Sequence, residues 1–355
     1  MIRSMTGLML IVCLAACEEQ AKKEEPFGRI VKGISGLYLP KVIKTGSGDY
    51  FLAGQDYAGF GGAPIVLARI SSSGDTVWTR KKTDSERIDL IAFEASSDDE
   101  ILISYQRGMN VCAAKFDGNG TAKFDRTVSG ETRSALAIRG HGGGLTILVR
   151  DSTFVRLMEV NTDGETTWTN RIDVDRSYFL SGLSKTSNGY LFYGYKDSST
   201  VFLTDGIGNL QWNRRLAITY YESACSTEDG SIVLAGHRYN KNGSQISLTE
   251  LGFDGNLLGD TSVPAYSMEP VQLMDVDIQG KIRLFREWPA GGMLAMIFGH
   301  SLDWQQTVIL HALEEDQYLI SGTWSKGYVI TGRTYYQGAV LPFFFEVDGN
   351  LRILE

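Results

Sequence analysis

The chain has 355 residues, 43% hydrophobic and 21% charged, with a formal net charge of −8 at pH 7. An acidic chain of this kind lacks the basic footprint that nucleic acid requires, so no nucleic-acid partner is expected. Forty glycines against seven prolines suit many tight turns and few breaks, and no segment inside the repeats described below is low in complexity.

The first element is a targeting segment. Arg3 supplies a positive region, Leu8 to Val12 an apolar core, and Leu14-Ala15-Ala16-Cys17 a small-residue processing site, in the order a secretory leader requires. The apolar stretch is too short to span a bilayer. The Leu14-Ala15-Ala16-Cys17 box resembles the signal peptide of bacterial lipoproteins, which implies cleavage before Cys17 and acylation of that residue as the membrane anchor. Glu18, Glu19, Lys22, Lys23, Glu24 and Glu25 follow without an apolar face, so this stretch reads as a flexible tether. Glu18 stands where an inner-membrane retention aspartate would, which points to the outer membrane. The acidic run is also similar to export signals of surface lipoproteins in Bacteroidota, so the periplasmic and surface sides stay open. The organisation expected is a leader at 1–16, a lipidated tether at 17–35 and one folded unit at 36–355.

From there the chain repeats. A turn glycine is followed four residues later by a large apolar residue at Gly74/Trp78, Gly120/Phe124, Gly164/Trp168, Gly208/Trp212 and Gly349/Ile353. Two members are degenerate: Gly255 leads to Gly259 beside Leu257 and Leu258, and Trp304 follows His300. A second marker, an apolar run, ends at residues 54, 104, 148, 194, 236, 285 and 332. Both markers count seven units of about 46 residues. Within a unit, an alternating segment (Pro40 to Lys44, Leu90 to Ala95) precedes the apolar run. A third strand (Ile65 to Ile70, Phe154 to Val160, Ile246 to Leu251), a Gly/Asn/Asp turn and the aromatic strand follow. Short strands joined by such turns, with no sustained helical period, predict an all-β protein. Four strands in each of seven units predict a seven-bladed β-propeller of four-stranded antiparallel blades. Trp78, Trp168 and Trp212 recur in register, which assigns them to packing between blades. Phe27 to Val31 is a candidate extra strand for the last blade.

Such a ring has two faces. The first-to-second and third-to-fourth turns on one face are short and made of small polar residues. The second-to-third loops on the other carry Tyr57, Tyr105, Arg107, Tyr195, His237, Arg238, Tyr239, Arg286, Trp288, Arg333, Tyr335 and Tyr336. The fourth-to-first connections add Arg80, Lys81, Lys82, Arg126, Arg171, Arg214, Arg215, Tyr220 and Tyr221 to that face. Loops carry function more often than scaffold strands, and Tyr, Trp and Arg dominate binding hot spots, so this face is the expected binding surface.

Catalysis finds little support, and no catalytic residue, cofactor or metal is expected. The four histidines, His141, His237, His300 and His311, lack metalloprotease spacing. Gly140-His141-Gly142-Gly143-Gly144 lies between strands rather than before a helix, so it does not read as a phosphate loop. Asp98-Asp99-Glu100 and Asn161-Thr162-Asp163-Gly164 lack the full spacing of a calcium loop and read as turns. With the leader removed and Cys17 acylated, Cys112 and Cys225 remain, on different blades and too far apart for a disulfide.

Asp229-Gly230-Ser231-Ile232-Val233-Leu234-Ala235-Gly236 and Gly208-Asn209-Leu210-Gln211-Trp212 resemble repeats of propeller lipoproteins of Bacteroidota. More loosely they resemble the quinoprotein-like repeats of the outer-membrane assembly propeller. The resemblance spans residues 36–355 and implies architecture and an envelope location, with no site residues. The expected function is a non-enzymatic outer-membrane lipoprotein whose propeller docks other cell-envelope proteins, held to the membrane only through its lipid. The alternatives are a surface glycan-binding lipoprotein, with Tyr57, Tyr105, Trp288, Tyr335 or Tyr336 stacking on sugars, and a glycan-active enzyme.

Overall fold

A computed structural model describes residues 29–354 other than 32–33, 57–62, 98, 152–153, 175–176, 217–219, 241–242, 266–269, 277–278, 288–292, 311–316, 325–326 and 337–338. Seven antiparallel sheets follow one another along the chain, at 37–82, 88–129, 134–173, 179–215, 220–264, 271–310 and 317–348, with no helix among the described residues. Each is a meander of an inner, second, third and outer strand, and inner strands of successive blades contact one another around the ring. This is the seven-bladed β-propeller the repeat predicts.

The core is seven seams rather than one centre. Phe51, Leu67, Ile103 and Cys112 pack between the first and second blades, and Leu148, Leu157, Tyr190 and Phe192 between the third and fourth. The remaining five seams hold comparable clusters, including one joining Val42 and Leu52 to Val329 and Phe344 across the junction of first and last blades. A strand covered on both faces has no solvated side, so the second strands read as unbroken apolar runs.

Closure uses the N-terminal segment. Arg29–Ile30 forms a strand on Ala339–Asp348, the third strand of the last blade, and Ile353–Leu354 pairs with the same strand further along. The last blade's outer position is thus shared by both chain ends. Arg29 and Ile30, inside the segment read as tether, thus belong to the folded unit, and Val31 and Ile34 are buried in the closing seam. Tyr50 Oη donates to Glu346 Oε1 at 2.5 Å and receives Arg29 Nη1 at 2.5 Å, while Lys44 Nζ lies 2.6 Å from the same Glu346 carboxylate. Burial and the Glu346 carboxylate push the Tyr50 phenol up to about 12.

The outer seams explain the glycine spacing and correct part of it. Gly74, Gly120, Gly164, Gly208 and Gly255 have φ between 75° and 90°. A Cβ on Gly120 would sit 3.0 Å from the Trp78 ring, on Gly164 2.8 Å from Phe124, on Gly208 2.5 Å from Trp168, and on Gly255 3.0 Å from Trp212. Each aromatic therefore fills the hole left by the glycine of the next blade, which is needed both for backbone conformation and for space. Trp78 Nε1 and Trp212 Nε1 also donate across the seam to the carbonyls of Gly118 and Phe253, both at 2.7 Å.

In the last two blades the turn hydrogen bonds place Leu302 and Leu351 where the earlier blades have glycine. Both have positive φ, 58° and 62°. His300/Trp304 and Gly349/Ile353 are therefore out of register by two residues, and Trp304 is a 58% exposed ring rather than a packing one. Between the fifth and sixth blades the complementarity is reversed. Gly259 occupies the aromatic position, and Leu302 fills the vacancy with its Cδ1 3.5 Å from a Cβ built on Gly259.

Candidate ligand groove

The rung at which each inner strand begins, on the predicted face, can be read across the seven blades. Across the inner pair it reads Leu37/Asp56, Ile88/Arg107, Ser134/Arg150, Phe179/Tyr195, Tyr220/His237, Val271/Arg286 and Gln317/Arg333. The second-strand member is arginine in four blades, so arginine belongs to the repeat. The departure is aromatic and confined to the fourth and fifth blades.

There the rings form an arc beside the mouth of the ring. Phe179 stacks on Tyr195 at 5.6 Å with planes 24° apart, and Tyr195 meets Tyr220 edge-on at 4.8 Å. The Arg150 guanidinium lies 5.6 Å from the Phe179 centroid. Phe179 is 55% and Tyr220 38% exposed, so apolar ring surface stays in water when it could have been buried. Immediately outward, a cavity of about 440 Å³ is lined by Asp173, Tyr178, Asp197, Ser198, Asn213 and Arg215, among others. Tyr178 and Lys196, both on its wall, adjoin Phe179 and Tyr195 in sequence, which sets the cavity beside the arc; the two together are the candidate groove. Its floor is braced: Tyr178 Oη donates to the Thr200 carbonyl at 2.7 Å, and Arg215 Nε donates to Ser198 Oγ. Burial pushes the Tyr178 phenol up, so it is a neutral donor at any ordinary pH. Arc and cavity together offer stacking faces, carboxylates, an amide and a guanidinium.

Of the predicted residues, the structure brings Tyr195 into this groove. Three are corrected by burial: Tyr105 is 1%, His237 1% and Arg286 2% exposed, too enclosed to meet a partner. The reason is that all three lie inside their second strands, Glu100–Arg107, Ile232–Asn240 and Ile282–Glu287, which are covered by neighbouring blades, rather than in loops. Tyr105 Oη donates to Asp125 Oδ1 at 2.5 Å under the Lys82 ammonium, and burial followed by Asp125 raises its phenol. His237 Nδ1 lies 3.0 Å from Glu222 Oε2, and that carboxylate also accepts the Val271 amide at 2.8 Å. Arg107 reaches Asp84 at 3.4 Å and Thr127 at 3.2 Å, and Arg238 lies 3.6 Å from Asp260. Tyr239, Arg333, Tyr335 and Tyr336 lie in the strands Ile232–Asn240 and Gly327–Tyr336. Tyr57 and Trp288, like the Cys17 lipidation residue, lie outside the described residues. Phe179 opens a strand instead of lying in a loop, and Tyr220 is one of many residues in the connections, so neither stands out in the sequence; both are the first residue of an inner strand.

Other groups are absorbed by the scaffold. The His141 amide donates to Tyr190 Oη at 3.0 Å and its Nε2 lies 3.1 Å from the Gly189 carbonyl, so the glycine-rich loop is a seam contact. Asn161 Oδ1 accepts the amides of Asp163 and Glu165, which makes that segment a turn. Cys112 and Cys225 are free thiols, and burial raises that of Cys225. Lys41 and Glu94 stand half-buried on adjacent inner strands. Burial pushes the ammonium down and the carboxyl up, each opposed by the other's charge.

No family model and no curated protein matches the chain. Solved propellers do. The BP39L lectin from Burkholderia pseudomallei is similar with a TM-score of 0.64 at 8% identity, over 91% of this chain and 99% of that one. Polysaccharide lyase Uly1 is similar with a TM-score of 0.58 at 9% identity, over 92% and 93%. A protein of unknown function from Bacteroides caccae has a TM-score of 0.47 at 14% identity, over 74% and 93%. The likenesses to the lectin and the lyase show the fold, which serves both.

Proposed function

We propose that this chain is a carbohydrate-recognition propeller of the bacterial envelope, acylated at Cys17 in the outer membrane and without enzymatic activity of its own. The observation that carries the reading is the Phe179, Tyr195 and Tyr220 arc, built where the inner strands of the fourth and fifth blades begin on an aromatic residue and those of the other five do not. Stacked aromatic faces beside an amide, carboxylates and a guanidinium suit the apolar faces and hydroxyls of a sugar. The shared fold does not choose among lectin, lyase and docking scaffold, so the choice rests on the arc alone.

The test is a glycan array probed with the full chain, followed by titration calorimetry on the best ligand. Removing either exposed ring, Phe179→Ala or Tyr220→Ala, is expected to weaken binding about tenfold or more, equivalent to ~1.4 kcal/mol. The rings are partly in water, so folding should be little affected. Unchanged affinity in both variants would remove the arc from the site. Absence of any glycan ligand together with stoichiometric envelope proteins on pull-down would return the reading to protein docking.

A further inference from the structure

The face opposite the groove carries a second departure from the repeat. At the third-to-outer turns and the first residues of the outer strands, the fourth to sixth blades expose Ile207 (57%), Leu210 (42%), Phe253 (46%), Leu257 (62%), Leu258 (61%) and Trp304 (58%). At the same positions the second and third blades have Asn119, Ala122 and Lys123, and Asp163, Thr166 and Thr167, and the first has Ser73 and Thr76 with one exposed apolar residue, Val77 (57%). The outer strands themselves change. Those of the first three blades, TVWTRKK, AKFDRTVS and TTWTNRID, each carry two or three charges. Those of the fifth and sixth, LLGDTSVP and WQQTVIL, carry Asp260 alone. The fourth, LQWNRR, is apolar at its start and keeps Arg214 and Arg215 at its end. Exposed outer strands ordinarily hold charge to discourage association, so an apolar corner spanning three blades, charge-poor along two of their outer strands, is a surface made to be covered.

We propose that this corner rests in the interfacial layer of the membrane that holds the lipid anchor. The occupant follows from where the tether enters. About a dozen residues separate Cys17 from Arg29, a reach of at most ~40 Å. Arg29 joins the outer edge of the last blade, next to the sixth blade that carries Trp304. The apolar residues project from turn tips and strand starts rather than lining a groove, which fits a planar, deformable partner. Trp and Leu at such a convex corner, with amides such as Asn256, Gln305 and Gln306 between them, are the composition that seats a surface in the headgroup region. No helix among the described residues is long and apolar enough to cross a membrane. The contact proposed is peripheral, and it leaves the groove on the face turned away from the lipid. This inference rests on the acylation part of the proposed function, not on its glycan part.

The experiment places the full acylated chain on vesicles of phosphatidylethanolamine and phosphatidylglycerol and reads tryptophan quenching by brominated lipid and by aqueous iodide. Trp304→Phe isolates the Trp304 signal. The expected result is bromolipid quenching at least twofold greater in wild type than in Trp304→Phe, with iodide access to Trp304 lost on the vesicles. The Leu257→Ser/Leu258→Ser variant should stay vesicle-bound through its acyl chain and lose that difference. Equal bromolipid quenching in wild type and Trp304→Phe overturns the proposal. So does a Trp304 that stays open to iodide on vesicles but becomes shielded by a co-purifying envelope protein. Mass spectrometry of the Cys17 peptide reads the anchor separately: an unmodified Cys17 refutes acylation, while quenching is read on the same vesicles in either case.

Discussion

Leu302 offers the sharpest test of how the ring is packed, because it combines burial with a left-handed backbone. Its side chain is 3% exposed and fills the vacancy over Gly259, while its φ is 58°. Truncating a buried leucine to alanine costs about 2–5 kcal/mol, and alanine would keep the left-handed strain of about 1–2 kcal/mol. Glycine loses the same side chain but releases that strain. Leu302→Gly should therefore be less destabilising than Leu302→Ala by roughly 1 kcal/mol, the reverse of the order in an ordinary strand or helix. Gly259→Trp alone should clash with Leu302 and cost about 1–3 kcal/mol. Combined with Leu302→Gly it recreates the Trp212 on Gly255 arrangement one seam further on. The double variant is then expected to be more stable than the sum of the singles, by about 1–3 kcal/mol of coupling. Differential scanning calorimetry and guanidinium titration of the four variants measure this, with roughly 2 °C in Tm per kcal/mol for a chain of this size. A Leu302→Gly variant less stable than Leu302→Ala, or additive effects in the cycle, would refute the reversed seam.

Two further measurements probe the closing seam and the inner strands. The folded-state pKa of Tyr50, about 12, lies above its ordinary value of 10.0. Its contribution to stability is thus fully present below pH 10 and lost as pH rises through about 12. Alkaline melting curves should show this loss, and Tyr50→Phe should flatten the pH dependence in that window while lowering stability at neutral pH by about 1–3 kcal/mol, since Glu346 loses a buried donor. Lys41 and Glu94 should couple: Glu94→Gln or Lys41→Met alone leaves one half-buried charge without its partner, whereas Lys41→Met/Glu94→Leu should recover stability toward wild type in denaturant titrations.

Strand order, blade number and the role of Trp78, Trp168 and Trp212 were legible in the sequence because each recurs under the same local constraint: a positive φ at the turn and a ring-sized hole beside it. Where the constraint was met differently, the pattern misled. Leucine at a left-handed position has no sequence signature, so His300 and Gly349 were taken for the turn glycines of the last two blades. The groove was half legible. Tyr195 stood among loop residues, but Tyr105, His237 and Arg286 stood there equally, and nothing local separates a strand end that faces water from one enclosed by the next blade.

The amino-acid sequence by itself determined a ring of seven four-stranded sheets, because turn chemistry and apolar period are local properties that repeat. Only the tertiary structure decided which repeated positions are scaffold and which are surface. Exposure is set by the neighbouring blade, roughly one repeat away along the chain. It leaves Phe179 and Tyr220 exposed on one face, Trp304 and Leu257 exposed on the opposite corner, and the arginines of the second strands distributed as part of the frame.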